Sequence, residues 1–202
     1  REAYLKTLQL TVFISIPLAV GIFILAPEFT KIFLGEKWIP MVSAMRTLAL
    51  AGLIRSIQAT TGPVFQAVGK PEIDTKWQIV RLIVLVVSIY PLTLFWGILG
   101  ASMSVCLSIF VILIGCSFMV MSITGCEIKK FGRIVAFPSI SGAIMMAAVF
   151  ALKISINTVG LWTFFLLALA GIFAYLAATY LQDKFLHHGT QTLLKEILTS
   201  FH

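Results

Sequence analysis

Between Arg81 and Glu127 the chain carries no charged side chain, and no water-soluble domain has a use for an apolar run of that length. Further uncharged runs extend from Thr7 to Pro27, Ile134 to Leu152 and Ile154 to Gln182. A membrane-spanning helix needs about 20 predominantly apolar residues, so these runs read as spans. Composition agrees: 59% of residues are hydrophobic, 11% are charged and the mean hydropathy is +1.03. The run from Leu82 is too long for one crossing. It divides at "WGILG", 96 to 100, where two glycines and an interfacial aromatic mark a tight turn.

The stretch from Pro40 to Gly69 is different, because Arg46 and Arg55 cut it into pieces too short to span alone. The segment is either one continuous helix with Arg55 near mid-membrane, or a re-entrant or buried core helix; its flanks, "LGEKWIP" and "GKPEID", read as surface turns and favour the continuous helix. The chain is then an all-α polytopic membrane protein with six spans, at about 8 to 27, 41 to 68, 77 to 96, 98 to 124, 134 to 152 and 158 to 181. Residues 182 to 202 form a cytoplasmic tail in which Leu193, Leu194, Ile197, Leu198 and Phe201 share one helical arc, the pattern of a surface-lying helix. His187 and His188 at its start read as solvated. Because the chain opens on Arg1 with a helix already under way, it is expected to be a fragment.

Arg1, Lys6, Lys70, Lys76, Arg81, Lys129, Lys130, Arg133, Lys184 and Lys195 fall on one side of this arrangement. Lys31, Lys37 and Lys153 fall on the other. The imbalance places both termini in the cytoplasm, and Trp38, Trp96, Trp162 and Trp77 form the interfacial belt. The net charge of +7 is thinly spread and suits anionic lipid head groups, not nucleic acid. Cys106, Cys116 and Cys126 share one helix without companions at ligand spacing; they read as small buried or lipid-facing side chains, with no metal or redox role.

On a helical wheel, Ala44, Leu48, Ala51, Gly52, Gln58, Ala59, Gly62 and Gln66 lie within about 60° of Arg55, so the charge stands on a small and polar face. Leu50, Leu53, Ile57, Val64 and Val68 occupy the opposite face. Arg46 and Arg81 read as side chains snorkelling to the two interfaces. Arg55 is too deep for that, and an unpaired arginine at the bilayer centre costs at least ~2.5 to 3.5 kcal/mol. All eight acids lie in turns, interfaces or the tail. Arg55 is therefore expected to meet backbone carbonyls, a missing part of the protein, a watery cavity or an anionic ligand, and the spans are expected to hold no coupling-ion carboxylate. Pro17, Pro63 and Pro91 lie inside spans, and Gly62 with Pro63 is a candidate hinge two turns from Arg55. No nucleophile with its base, phosphate-binding glycine loop or metal pattern appears, so neither an enzyme nor a cofactor is indicated.

The stretch "FLGEKWIPMVSAMRTLALAGLIRSIQATTGPVFQAVGKPEID", 33 to 74, resembles the polysaccharide-exporter branch of the oligosaccharide flippases, with its "fGekW" turn, small-residue helix and "AlGrP" turn. "FWGILGASMS", 95 to 104, is similar to their "fGi.Ga" hairpin. The resemblance implies part of the C-terminal bundle of the multidrug and oligosaccharidyl-lipid exporter fold. Its amino-terminal bundle, the other wall of the cavity, would be absent here. It implies alternating-access transfer of undecaprenyl-diphosphate-linked sugar units across the bacterial cytoplasmic membrane, with Arg55 on the diphosphate. Gln58 and Gln66 would be available to sugar hydroxyls. The rivals are a drug or cation antiporter of the same superfamily, which would want intramembrane acids, and a membrane-embedded glycosyltransferase or polymerase component, which would want acids in an outer loop.

Overall fold

The computed structural model describes residues 2–124, 128–155 and 160–186, and every regular element among them is helical. The elements are α1 (Glu2–Phe29), a π-helical turn (Thr30–Leu34), a 3-10 turn (Glu36–Met41), α2 (Val42–Ala59), α3 (Gly62–Ala67), α4 (Pro71–Thr124), α5 (Ile128–Ser155) and α6 (Leu161–Leu186). Four stretches are long and apolar enough to cross a membrane: Tyr4–Leu34, Pro71–Ile123, Phe131–Ile154 and Leu161–Gln182. The α2–α3 segment does not reach that standard by itself, so the six expected spans reduce to this coarser finding. The expected tail helix lies, from residue 187 onward, outside the described residues, as does Cys126.

The long α4 is two limbs. Gly97 has φ 56° and ψ −130°, a backbone that side chains disfavour, and the chain doubles back there. A Cβ on Gly100 would fall into the Leu92 carbonyl, and one on Gly115 would fall on the Trp77 indole. Both contacts pair positions placed symmetrically about Trp96, so the limbs run antiparallel, in close contact, down their length. The turn expected at "WGILG" is where the chain turns. Trp77, expected in the inner belt, instead lays its ring on Gly115, while Trp38, Trp96 and Trp162 are exposed.

α1 lies at the centre. α2 packs on one side of it and carries α4 on its own far side; α5 and α6 pack on the other. Leu8, Val12 and Ile16 form the buried stripe of α1, and Phe65 of α3, Ile112 of α4 and Leu167 of α6 close the core around it. Gly142 of α5 sits against the Ile16 side chain, where a Cβ would stand only 2.6 Å from Ile16 Cγ2. Small residues at such crossings let helix backbones approach, the usual basis of packing where lipid removes the hydrophobic drive.

Two prolines decide how α1 meets its neighbours. A helical carbonyl is normally paired with the N–H four residues on, and proline has none. Pro17 therefore frees the carbonyl of Phe13, and the Tyr175 hydroxyl of α6 donates to it at 2.9 Å. Pro27 frees the carbonyl of Phe23, and Arg46 Nε of α2 donates to it at 3.1 Å. Both long-range bonds land on the acceptors that proline exposes. In a low-dielectric interior an unpaired carbonyl is costly, so these bonds select the faces that α2 and α6 turn to α1.

Tyr175→Phe should lower stability by about 1–3 kcal/mol, because it leaves a buried acceptor unpaired. In a Pro17→Ala background the same change should cost much less, since residue 17 then offers its own N–H to Phe13. Thermal unfolding of the four proteins of this double-mutant cycle measures the coupling, and additive effects would contradict it.

Candidate functional site

The segment expected to be one helix from 41 to 68 is broken. α2 ends at Ala59, Thr60 and Thr61 form a turn, and α3 starts at Gly62 with Pro63 in its first turn. The cause is local. The Thr60 and Thr61 hydroxyls donate to the carbonyls of Ile57 and Gln58, each at 2.7 Å, where the next helical N–H groups would have gone. Their backbone N–H groups reach the same two carbonyls at 3.3 and 3.0 Å. Pro63 has no N–H for Ala59.

Arg55 lies near the middle of the combined α2–α3 segment and is exposed. Among the described residues it makes no hydrogen bond or ion pair. The small and polar face around it is divided along its length. On one flank Ala44, Ala51 and Gln58 are buried; on the other Leu48, Gly52, Ala59 and Gln66 are exposed. Arg55 stands at the boundary, on the open side. Beyond the break, Gln66 and Pro63 are exposed too. Gln58, expected beside them, is 7% exposed and belongs to the packed flank. A Cβ on Gly52 would meet nothing within 4 Å, so this flank has room in front of it.

Three other cations are committed. Arg46 does not snorkel: besides its bond to Phe23, its guanidinium lies 5.4 Å from the centroid of the Phe23 ring. Arg81 turns back one helical turn, with Nη1 3.4 Å from Gln78 Oε1. Lys153 near the end of α5 pairs with Glu28 at 2.5 Å. This pair brings the C-terminal ends of α1 and α5 to the same side of the bundle.

Glu28, one residue from the end of α1, is 8% exposed and keeps one oxygen, Oε2, without a partner, so this acid at a helix end is packed, not solvated. Asp74, in the first turn of α4, likewise has Oδ1 buried and without a hydrogen-bond partner. The sequence hid both, because a charge close to the end of an apolar run looks interfacial until its neighbours are known. An apolar cavity of about 420 Å³ also opens between α1, α5 and α6, around Pro17, Phe29, Met145 and Phe164. It bears no charged residue and does not include the open flank of α2.

Residues 1–43 match a family model described as "Polysaccharide biosynthesis protein". The chain is 24% identical over 200 residues, 98% of its length, to an uncharacterized membrane protein in the cps region of Klebsiella pneumoniae, of which the match covers 41%. The resemblance to the polysaccharide exporters is borne out. Shorter matches reach teichuronic acid biosynthesis protein TuaB of Bacillus subtilis (strain 168), 29% identical over 38% of this chain and 16% of that protein, and lipopolysaccharide biosynthesis protein WzxC of Escherichia coli (strain K12), 25% identical over 40% of this chain and 16% of that protein. The chain thus spans less than half the length of these relatives. No solved structure matches it.

Arg46→Ala should cost about 1–3 kcal/mol, because it strips the donor from a proline-freed carbonyl. Arg55→Ala, which breaks no bond among the described residues, should leave stability within about 0.5 kcal/mol. Thermal unfolding of both variants ranks them, and the reverse order would mean that Arg55 is the packing residue.

Proposed function

We propose that this chain is part of a flippase-type exporter that carries undecaprenyl-diphosphate-linked oligosaccharide units across the bacterial cytoplasmic membrane. Transfer proceeds by alternating access, and Arg55 receives the diphosphate from the open flank of α2. The observation that carries the reading is an exposed arginine near the middle of the α2–α3 segment, with no partner among the described residues and small residues in front of it. A diphosphate is a dense anion, and a guanidinium offers it a planar pair of donors whose strength grows as water is excluded. Gly52 and Ala59 leave room for a bulky head group, and the exposed Gln66 beyond the break suits sugar hydroxyls. The likeness to teichuronic acid and lipopolysaccharide biosynthesis proteins supports a polyanionic or sugar-bearing cargo.

On this reading the protein is a carrier and makes or breaks no covalent bond. The remainder of the cavity comes from chain beyond this one, and both termini of this chain lie in the cytoplasm. The interruption at Thr60 and Thr61, with Gly62 and Pro63 behind it, is the point about which α3 tilts between the two access states. A drug or cation antiporter is the weaker reading, because cationic cargo calls for a carboxylate on the open flank. Glu28, the nearly buried acid of α1, is already neutralised by Lys153.

In the full-length protein, Arg55→Lys keeps the charge but loses the fork, and transfer of lipid-linked oligosaccharide in reconstituted vesicles should fall by about tenfold at unchanged abundance. Arg55→Ala should fall further. Normal transfer by Arg55→Ala would exclude the diphosphate role.

A further inference from the structure

α1 and α6 run antiparallel and touch at two levels. At one, the Tyr175 hydroxyl donates to the Phe13 carbonyl at 2.9 Å and the two rings lie 5.5 Å apart. At the other, the rings of Phe29 and Phe164 lie 6.3 Å apart, with Phe33 against them at 5.0 and 5.7 Å. The apolar cavity of about 420 Å³ occupies the interval between these contacts. Its floor is α5. Met145 and Val149 are buried there, and a Cβ on Gly171 of α6 would stand 3.0 and 3.1 Å from them. On the α1 side, a Cβ on Gly21 would stand 3.8 Å from Met145. α5 thus wedges α1 and α6 apart between the two levels at which they meet. The side away from α5 is open, since Leu18, Ile22 and Ile172 line the cavity and are exposed.

The chemistry and dimensions of this slot select its occupant. Every side chain around it is apolar, so a charged or hydrogen-bonding group placed there would lose its water without repayment. The lining runs along α1 from Pro17 to Phe29, a helical rise of about 18 Å. Over that length the volume corresponds to a mean cross-section of about 23 Å², a width of about 5 Å. A helix with its side chains is about 10–12 Å across, so no further helix enters. Neighbouring extended chains pack about 4.8 Å apart, so the width is that of one extended chain. The Phe29 end adjoins Glu28, paired with Lys153, and the exposed pair of Lys31 and Glu36, the charged level at which the span gives out. From there the slot reaches about as deep as one leaflet, about 15 Å of hydrocarbon. A long polyprenyl tail would overrun it, whereas a single fatty-acyl chain matches it in length, width and polarity.

We propose that the slot between α1, α5 and α6 binds one acyl chain of a membrane phospholipid, a resident lipid held by its hydrocarbon and not by its head group. The site does not depend on the role of Arg55, and its test reads lipid binding, not transport. The full-length protein in detergent micelles is titrated with a phosphatidylcholine that carries a photoactivatable diazirine midway along one acyl chain, and the adducts are mapped by mass spectrometry. Adducts on Met145 and Phe164 should saturate at one lipid per chain, while those on the exposed Val86 and Val87 of α4 should keep rising with lipid. Unlabelled phosphatidylcholine and phosphatidylglycerol should compete equally, because the slot carries no charge. Gly21→Leu and Ala168→Phe, which fill the slot, should remove the saturable adducts and leave those on Val86 and Val87. An unlabelled slot, non-saturating adducts, displacement by a polyprenyl phosphate but not by phosphatidylcholine, or adducts that survive both filling variants would each overturn the site. If neither variant folds, saturation and competition in the wild-type protein decide.

Discussion

The helix at the centre of this protein is chemically incomplete by itself. α1 is interrupted by Pro17 and Pro27, and each leaves a carbonyl without its N–H at a depth where water cannot stand in. Neighbouring helices complete it: α6 sends Tyr175 to the Phe13 carbonyl, and α2 sends Arg46 to the Phe23 carbonyl. Packing in lipid lacks the strong directional preference that burial from water supplies. Two obligatory hydrogen bonds set how far α2 and α6 are rotated toward α1, and the rest of the bundle is built outward from those faces.

This gives two arginines of one helix opposite roles. Arg46 is held by a backbone acceptor and an aromatic ring, so it is part of the scaffold. Once Arg46 is docked, the rotation of α2 is settled, and the rotation decides which flank of the small-residue face is packed. Ala44, Ala51 and Gln58 turn inward, while Gly52, Arg55 and Ala59 are left open. The exposure of Arg55 is thus a consequence of a hydrogen bond made by a different arginine two and a half turns away.

Much of this was legible in the residues alone. The apolar runs specified a helical membrane protein, and the glycines of "WGILG" specified the fold-back of α4, because run length and positive-φ requirement are local properties. The unusual character of Arg55 was equally legible. What escaped was tertiary. The role of Arg46 needed the knowledge that Pro27 leaves an acceptor beside it; both residues were visible, but their juxtaposition was not. The inward turn of Gln58 needed the rotation of α2. The break at Thr60 and Thr61 had a local signal in "TTGP", yet a proline inside a span is equally compatible with an unbroken kinked helix, and only the two threonine hydroxyls decide it. Glu28 and Asp74 were concealed by sitting near the ends of apolar runs, where charge is ordinarily solvated.

The break at Thr60 and Thr61 lies between an open arginine and a carboxylate: Arg55 is exposed in α2, and Asp74, of intermediate exposure, rests against the start of α3. The break itself removes helical hydrogen bonds, since the Thr60 and Thr61 hydroxyls occupy the Ile57 and Gln58 carbonyls and Pro63 has no N–H for Ala59, so the α2–α3 joint is held less firmly than a continuous helix. On the proposed reading, an anion held at Arg55 would act on α2 close to this joint. A continuous helix would carry such a push rigidly along its whole length, whereas an interruption of its hydrogen bonds frees the angle between α2 and α3.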